Sequence, residues 1–327
     1  MLSVVIPVYD EAESLDALYA ELLDVAEQQG YDMQIVFVDD GSTDGSWDVI
    51  RRLAEETSRV KGIRFRRNFG KAAALSAGFR FSEGQTVMTL DADLQDDPHE
   101  IPNFLAKLDA DRLDVVSGWK RVRHDPWHKV IPSRVFNWMI GRLTGVRLHD
   151  HNCGMKCYRR EVLGEVRLYG EMHRFVPVLA HARGFRVGEI AIHHRPRRHG
   201  KSKYGARRFV KGFLDLLTVT FLTSFRQRPQ HLLGTVGLLC FFAGGLGLAY
   251  LSGYWLIAQL RPDLGLTPLH ERPAVIYSVG SLLLGAQLIS IGFLAELITA
   301  NESRESDAYS IAEATEPPAN DHNRAAR

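Results

Sequence analysis

The chain has 327 residues, enough for one large domain or two small ones. Its 40 Lys and Arg residues nearly balance its 39 Asp and Glu residues, so the overall charge argues against a nucleic acid or another polyanion as partner. Three cysteines are too few for a disulfide framework, and we expect them to be reduced thiols.

The first 120 residues alternate between apolar runs and segments with helical patterning. Strands are predicted for LSVVIPV, MQIVFVD, GIRFRR, TVMTL and LDVVSG, with a helix after each of the first four. A later strand is predicted at GEIAI. Strict alternation of buried strands and helices predicts an α/β fold, in which a mostly parallel sheet carries helices on both faces.

Polar residues follow several of the predicted strands, where open α/β sheets bind ligands. They are Pro7, Tyr9, Asp10 and Glu11 after the first strand, Asp39 to Asp44 after the second, and Asp91 to Asp97 after the fourth. Neither a G-x-G-x-x-G motif after the first strand nor a G-x-x-x-x-G-K-[ST] motif is present. Dinucleotide binding and P-loop hydrolysis are therefore poorly supported.

The stretch TLDADLQDDP, residues 89–98, places four carboxylates within seven residues. Side chains two positions apart on an extended chain point the same way, so Asp91 and Asp93 can face one point, and Gln95 can follow if the chain stays extended. Oxygen ligands of this kind, together with substrate phosphates, bind Mg²⁺ or Mn²⁺. We predict a divalent cation there that binds a diphosphate. A helix cap is the alternative; it suits Asp97 before Pro98 but does not explain Asp91 and Asp93.

Several motifs carry a family resemblance. VVIPVYDE, VDDGSTDGS, RNFGKAAALSAGF and DADLQDDP resemble the successive motifs of family 2 glycosyltransferases, inverting enzymes with a GT-A fold. HNCGMKCYRREV, HRFVPVLA, HHRPRRHGKSKYG and the apolar C-terminal segments resemble the polyprenyl-phosphate glycosyltransferases within that family. The resemblance extends to about residue 300.

The resemblance implies a set of site residues. The nucleotide-sugar pocket would be lined by Pro7, Tyr9, Glu11, Val38, Asp40, Asp91, Ala92, Asp93, Gln95 and Lys120. The metal ligands would be Asp91, Asp93 and Gln95, and the catalytic residues Asp91, Asp93, Arg197 and Lys203. Arg197, Ser202 and Lys203 would bind diphosphate and acceptor phosphate. His173 and Arg174 are further candidates for the acceptor, with a surface position beside an apolar helix as their alternative.

Two long segments lack Asp, Glu, Lys and Arg, namely 32 residues from Pro229 to Leu260 and 22 from Ala274 to Ala295. About 20 apolar residues cross a bilayer, so we predict two transmembrane helices, at about 232–258 and 274–297. Ten basic residues and one acidic residue lie between Arg195 and Arg228, which places the N-terminal region and both termini in the cytoplasm, beneath the inner membrane.

The expected domains are a GT-A catalytic domain at 1–204, a juxtamembrane amphipathic region at 205–228, the membrane hairpin at 229–298 and a disordered cytoplasmic tail at 299–327. Apolar residues at helical spacing in 133–146 and 207–225 predict interfacial amphipathic helices, for which core helices are the alternative.

The expected function is inverting transfer of a sugar from a nucleoside-diphosphate sugar, UDP in preference to GDP, to a polyprenyl phosphate at the cytoplasmic membrane face. A phosphate monoester is largely dianionic at neutral pH, so the acceptor needs no strong base. The alternatives are a processive polysaccharide synthase, although no Q-x-x-R-W motif is present, and a membrane-anchored nucleotide-sugar-binding protein without turnover. The sequence also leaves open whether the protein forms a homo-oligomer through the membrane helices.

Overall fold

The computed structural model of the protein describes residues 1–121, 127–166, 172–193, 195, 214–216, 218–220, 229–262, 268 and 272–302, with main chain only for 127–132, 229 and 299–302. The chain forms two compact units, Met1–Thr223 and Ser224–Arg327.

Seven strands in the described part of the first unit form one sheet. They are β1 (Leu2–Val8), β2 (Met33–Asp39), β3 (Val60–Arg64), β4 (Thr86–Thr89), β5 (Val115–Lys120), β6 (Lys156–Arg159) and β7 (Val187–Ile192). Their order is β3-β2-β1-β4-β6-β5-β7. All neighbouring pairs are parallel except those of β6, which is antiparallel to both β4 and β5. The prediction of a mostly parallel sheet is confirmed.

Helices connect the strands and cover both faces of the sheet. They are α1 (Ala12–Gln29), α2 (Ser46–Glu56), α3 (Lys71–Phe81), α4 (Ile101–Ala110), α5 (Trp127–Thr144), α6 (Arg160–Glu165) and α7 (Val176–Ala182), with 3₁₀ turns η1 (Pro98–Glu100) and η2 (Met172–Phe175). In α1, Leu15, Leu18, Leu22 and Val25 are buried at helical spacing.

Alternation along β1 divides the core between the two faces. Val4 and Ile6 belong to a large cluster that includes Leu15 of α1, whereas Val5 lies in a second cluster with Leu75 of α3. Successive strand residues point to opposite faces, so this strand is apolar on both sides. The burial explains why β1 is a continuous hydrophobic run in the sequence.

The predicted interfacial helix in 133–146 lies within α5. Some of its apolar residues are exposed, and others pack against a buried cluster. Val135, Trp138 and Leu143 are exposed. Phe136 and Met139 instead pack against a buried cluster. That cluster also contains Leu216 and Val219, the described part of the second predicted amphipathic segment; most of that segment lies outside the described residues. A role of the exposed residues at a membrane surface stays a prediction.

The second unit contains two long apolar helices, α8 (Pro229–Leu260) and α9 (Pro273–Glu302). Both contain candidate membrane spans, Gln230–Leu260 and Pro273–Ile298, and only 17% and 11% of their most apolar windows are buried, unlike core helices of a soluble protein. The two helices approach closely at glycines: a Cβ on Gly244 would lie 2.4 Å from the Leu282 nitrogen, and one on Gly285 2.4 Å from the Phe241 nitrogen. Small residues allow such packing between apolar helices.

Candidate active site

The polar residues expected to form the site follow strands that lie side by side. β1 lies between β2 and β4 in the sheet, and all three strands run parallel. The loops that begin at Tyr9, Asp40 and Leu90 therefore meet at the carboxyl edge of the sheet, the usual location of a ligand in an open α/β fold. Tyr9 is exposed at this edge, whereas the Val38 side chain is buried in the core. Val38 stands opposite Pro7 in the β1–β2 register, and its expected contact with a nucleoside stays a prediction.

Hydrogen bonds join the loops after β1 and β2. Asp10 accepts a hydrogen bond from the Thr43 amide at 3.0 Å, and the Ser42 hydroxyl accepts one from the Asp10 amide at 2.9 Å. The Asp44 carboxylate accepts a hydrogen bond from the Ala12 amide at 3.0 Å. Asp44 thus satisfies an amide at the start of α1, a helix-capping role across two loops.

Asp40 is buried and holds the segment that leads into α3. Its two carboxylate oxygens accept hydrogen bonds from the amides of Phe69 at 2.7 Å and Gly70 at 2.9 Å. Burial raises the pKa of Asp40, and the two amide hydrogen bonds oppose that rise. Gly70 has φ +93°, a conformation that favours glycine, and Lys71 follows as the first residue of α3. The expected contact of Asp40 with a nucleoside stays a prediction; the structure shows this carboxylate fixing the position of Lys71.

Asp91 interacts with several positive charges at this edge. Its carboxylate forms an ion pair with the Lys71 ammonium. Burial by itself raises the pKa of Asp91. The positive charges of Lys71, Lys120 and Lys156 outweigh burial and lower this pKa to about 2. Asp91 is therefore ionised at neutral pH, as a metal ligand or a partner of a cation must be.

The main chain between Asp91 and Asp97 (the acidic loop) turns instead of staying extended, so the extended geometry by which Gln95 was expected to follow Asp91 and Asp93 is wrong. Leu94 has φ +59°, a left-handed conformation that costs a non-glycine residue roughly 1–2 kcal/mol. The Ala92 carbonyl accepts a hydrogen bond from the Ser14 hydroxyl at 2.7 Å. Within the loop, Asp93 accepts one from the Gln95 amide at 3.2 Å. Strained turns of this kind persist where surrounding contacts hold them, and they are common at functional sites.

The last two carboxylates of the acidic loop have structural partners. Asp96 is fully buried and pairs with Lys120, with 3.1 Å between its Oδ1 and the Lys120 Nζ. Asp97 accepts a hydrogen bond from the His99 amide at 3.0 Å and precedes Pro98, the first residue of η1. The predicted helix cap at Asp97 is confirmed. Lys120, expected to contact the donor, is joined to the acidic loop instead, and its contact with a donor stays a prediction.

Two lysines and one glycine among the described residues also lie near Asp91, and the sequence did not predict any of the three as a site residue. Lys71 begins α3 in the motif RNFGKAAALSAGF, and Lys156 begins β6 in HNCGMKCYRREV. Lys156 is buried, donates to the Cys153 carbonyl, and has its pKa lowered by burial. A Cβ on Gly154 would lie 2.5 Å from Asp91 Oδ2, so only glycine leaves room for this carboxylate. The two motifs contained the signal, but only the fold brings these residues to Asp91.

His173 and Arg174 lie on η2, which packs against α3. Arg174 is buried, so the alternative of a surface position is wrong for it. Burial, with the positive charges of Lys71 and Arg174, lowers the pKa of His173 well below its usual range. His173 is therefore neutral at neutral pH. The other expected phosphate-binding residues, Arg197, Ser202 and Lys203, lie outside the described residues.

The sequence matches the family model described as Glycosyl transferase family 2 over residues 3–167, half of the chain. The chain belongs to glycosyl transferase family 2. The matched region runs from β1 to two residues after α6 and contains the acidic loop, Lys71 and Lys156.

Two relatives of this family 2 chain belong to one subgroup of the family. It is 37% identical over 308 residues to the dodecaprenyl-phosphate galacturonate synthase of Rhizobium johnstonii, covering 93% of this chain and 89% of the relative. It is 34% identical over 299 residues to the undecaprenyl-phosphate 4-deoxy-4-formamido-L-arabinose transferase of Aeromonas hydrophila, covering 91% and 88%. Close homologues of the chain are thus polyprenyl-phosphate glycosyltransferases, as the resemblance implied.

Solved structures support the GT-A-like fold. The glucosyl-3-phosphoglycerate synthase of Mycobacterium tuberculosis, in complex with Mn²⁺, UDP and phosphoglyceric acid, aligns with a TM-score of 0.53 at 15% identity, covering 68% of this chain and 78% of that chain. The mannosyl-3-phosphoglycerate synthase of Rubrobacter xylanophilus aligns with a TM-score of 0.53 at 16% identity, covering 69% and 75%. At these identities the likeness concerns the fold.

The side-chain oxygen atoms of the acidic loop are of the kind that bind a divalent cation. Asp91 is ionised, and Asp93 and Gln95 supply further hard oxygen atoms. Mg²⁺ and Mn²⁺ take such ligands, usually one or two carboxylates with substrate phosphates. The residues present therefore suit the metal that we expected at this position.

Proposed function

We propose that the protein transfers a sugar, with inversion, from a nucleoside-diphosphate sugar to a polyprenyl phosphate at the cytoplasmic face of the membrane. The observation that carries this proposal is similarity over more than nine tenths of the chain, through both apolar helices, to relatives named for polyprenyl-phosphate products. UDP is the preferred donor nucleotide in the proposal, and the two relatives carry different sugars, so the sugar itself is left open.

Asp91, Asp93 and Gln95 would hold Mg²⁺ or Mn²⁺ in this scheme. When bound, the cation neutralises the diphosphate that leaves the sugar. Lys71, whose position Asp40 fixes through Phe69 and Gly70, supplies a positive charge beside Asp91 from the first residue of α3. Preorganised charges of this kind stabilise a developing anion without reorganising during the reaction.

The arrangement of carboxylates supports an acceptor that needs no strong base. Asp96 is buried against Lys120, and Asp97 caps η1, so both carboxylates already have structural partners. A dianionic lipid phosphate is itself a nucleophile. The main tasks left to the protein are to screen two anionic substrates from one another and to align them. Arg174, with Arg197, Ser202 and Lys203, is proposed to bind the acceptor phosphate.

Membrane attachment follows from the lipid acceptor. The proposal places α8 and α9 across the inner membrane, with the catalytic domain and both termini in the cytoplasm, and leaves a homo-oligomer through these helices open. The basic segment between Arg195 and Arg228 supports this orientation.

Activity on defined substrates tests the proposal. The full chain in detergent, with undecaprenyl phosphate, a panel of radiolabelled UDP-sugars and Mn²⁺, is expected to give labelled lipid. Asp93→Ala should reduce the rate by at least about a hundredfold. Asp48→Ala, which removes an exposed carboxylate on α2, is the matched control and should retain activity.

Release of UDP distinguishes the alternatives. Release that requires lipid phosphate supports the proposal. Release without lipid phosphate, with growth of a polymer, would indicate a processive synthase. Binding of UDP-sugar without any release would indicate a non-catalytic protein and would refute the proposed transfer.

A further inference from the structure

Arg195 joins three parts of the first unit at the end of the acidic loop. It lies three residues after β7, and its amide donates a hydrogen bond to the Gln95 carbonyl at 2.9 Å. Its guanidinium contacts both carboxylate oxygens of Glu21 on α1, at 2.9 and 2.8 Å. The same guanidinium lies 2.8 Å from Asp97 Oδ1. The side chain is only 21% exposed, so these contacts are shielded from water more than ordinary surface ion pairs.

The position of this contact is important because of the strain in the acidic loop. Leu94, in its left-handed conformation, lies between Asp93 and Gln95, two of the three expected metal ligands. The Ser14 hydroxyl holds the loop before this turn, at Ala92. Arg195 holds it after the turn, at Gln95 and Asp97. Strained backbone persists only when contacts on both sides determine its course.

A metal site formed by neighbouring side chains is the other interpretation of this region. Among the described residues, Glu21, Asp97 and His99 bring ligand-type atoms within 4.8 Å of one another. However, the Arg195 guanidinium already contacts both carboxylates of this group. Planar guanidinium groups bind carboxylates strongly and remain charged, so a cation there would have to displace Arg195. We therefore interpret this group as an ion-pair network.

We propose that Arg195 is a positioning residue for the catalytic metal: it fixes Gln95 after the strained turn and thereby keeps Asp91, Asp93 and Gln95 arranged around one cation. This inference rests on the proposed function, because it assumes that these residues hold the metal. Arg195 itself contacts neither metal nor substrate in this scheme. The segment that contains Arg197 starts directly after this contact, so Arg195 also stands at the junction between the acidic loop and the expected phosphate-binding residues.

Metal binding by the full chain in detergent tests the proposal. Binding of Mn²⁺ in the presence of UDP is measured by electron paramagnetic resonance, beside the Mn²⁺ concentration that gives half-maximal transfer. Supporting residues around a metal change its affinity by about 10- to 100-fold, so Arg195→Ala should raise both values at least tenfold. The rate at saturating Mn²⁺ should fall much less. Both variants at this position keep the main-chain amide that donates to Gln95, but Arg195→Ala removes the guanidinium contacts to Glu21 and Asp97 that hold this amide in place. Arg195→Lys keeps a positive charge near these carboxylates and should give an intermediate shift.

Arg183 provides the matched control. It is 19% exposed and pairs with Glu165 at 2.8 Å, as Arg195 pairs with Glu21. Arg183→Ala should lower thermal stability by a similar amount but leave Mn²⁺ binding unchanged. If Arg195→Ala does not fold, Glu21→Gln replaces it, because this change weakens the α1 anchor without removing the Gln95 contact, and a shift of about threefold is expected.

Two results would overturn the proposal. One is an Arg195→Ala or Glu21→Gln protein that loses stability like Arg183→Ala while binding Mn²⁺ as the wild type does. The other is a wild type that binds no Mn²⁺ with UDP. Failure of the proposed function has a different outcome: Mn²⁺ binding shifts as expected in the Arg195 variants, but no sugar-lipid forms with any UDP-sugar.

Discussion

The ion pair between Lys120 and Asp96 permits a sharp test of how the acidic loop is held. The Asp96 side chain is fully buried, and the Lys120 side chain is 18% exposed. Burial raises the pKa of Asp96, and the Lys120 charge opposes that rise. Lys120→Met removes the positive charge that faces Asp96 in this pair and that opposes the cost of burying its carboxylate. Breaking a buried pair in this way costs about 3–5 kcal/mol of the free energy of unfolding.

The double variant Lys120→Met, Asp96→Asn distinguishes the interaction energy of the ion pair from the effect of losing either side chain alone. It removes both charges, and replacing a whole buried pair by neutral groups is often close to neutral for stability. We expect the double variant to unfold within about 1 kcal/mol of the wild type. The single variants should therefore be non-additive by several kcal/mol, as contacting residues are.

Denaturant unfolding of the full chain in detergent, followed by tryptophan fluorescence, measures these differences. Trp119 adjoins Lys120 and stacks on His149 with ring centroids 4.1 Å apart, which gives a reporter near the pair. A Lys120→Met protein as stable as the wild type would refute the view that this pair holds the loop. Transfer activity answers a separate question: if Lys120 also contacts the donor, the double variant recovers stability but not activity.

Two further predictions concern the neighbourhood of Asp91. Gly154→Ala places a methyl group 2.5 Å from the Asp91 carboxylate and should lower transfer activity by about 10- to 100-fold without unfolding the protein. In the control variant Gly164→Ala, nothing lies within 4 Å of the added methyl group, so activity should not change. Equal activities of the two variants would contradict the crowding argument. Burial, with the Lys156 charge, lowers the pKa of His151 to about 4, so the unfolded chain binds a proton that the folded chain does not between pH 6.5 and 4. Unfolding free energy should therefore fall by up to about 3 kcal/mol on acidification through this window, and by less in His151→Gln; parallel stability profiles would contradict the assignment.

Much of the fold was predictable because its strands are long and apolar. β1 and β2 are buried on both faces and stand out as hydrophobic runs in the sequence. β6 was not predicted as a strand. It is only four residues long, KCYR, and two of these are basic, so no periodic pattern marks it. Its antiparallel position between β4 and β5 depends on tertiary contacts that local sequence does not encode.

The candidate site was predictable in part for a similar reason. Asp91 and Asp93 follow a strand and lie two positions apart, so the local sequence is enough to predict that they lie near each other. The partners of Asp91 come from distant segments: Lys71 is 20 residues away and Gly154 is 63 residues away. Lys156 is harder still, because lysine is rarely buried and the composition of β6 suggests a surface strand. Its burial beside the acidic loop becomes visible only in the fold.

The charges that the structure brings together bear on the proposed binding of an acceptor phosphate. Three amino groups and three carboxylates converge at the end of β4, namely Lys71, Lys120 and Lys156 with Asp91, Asp93 and Asp96. Two ion pairs join members of this group, Lys71 with Asp91 and Lys120 with Asp96, and in the proposed scheme a divalent cation would balance a donor diphosphate. An acceptor phosphate adds close to two further negative charges. Since these three amino groups and three carboxylates balance in formal charge, we propose that the positive charge for the acceptor comes from Arg174 and from the basic segment after Arg195. In this proposal the second anion is bound by different residues from those that bind the first, which would let the protein screen two like-charged substrates while holding them in contact.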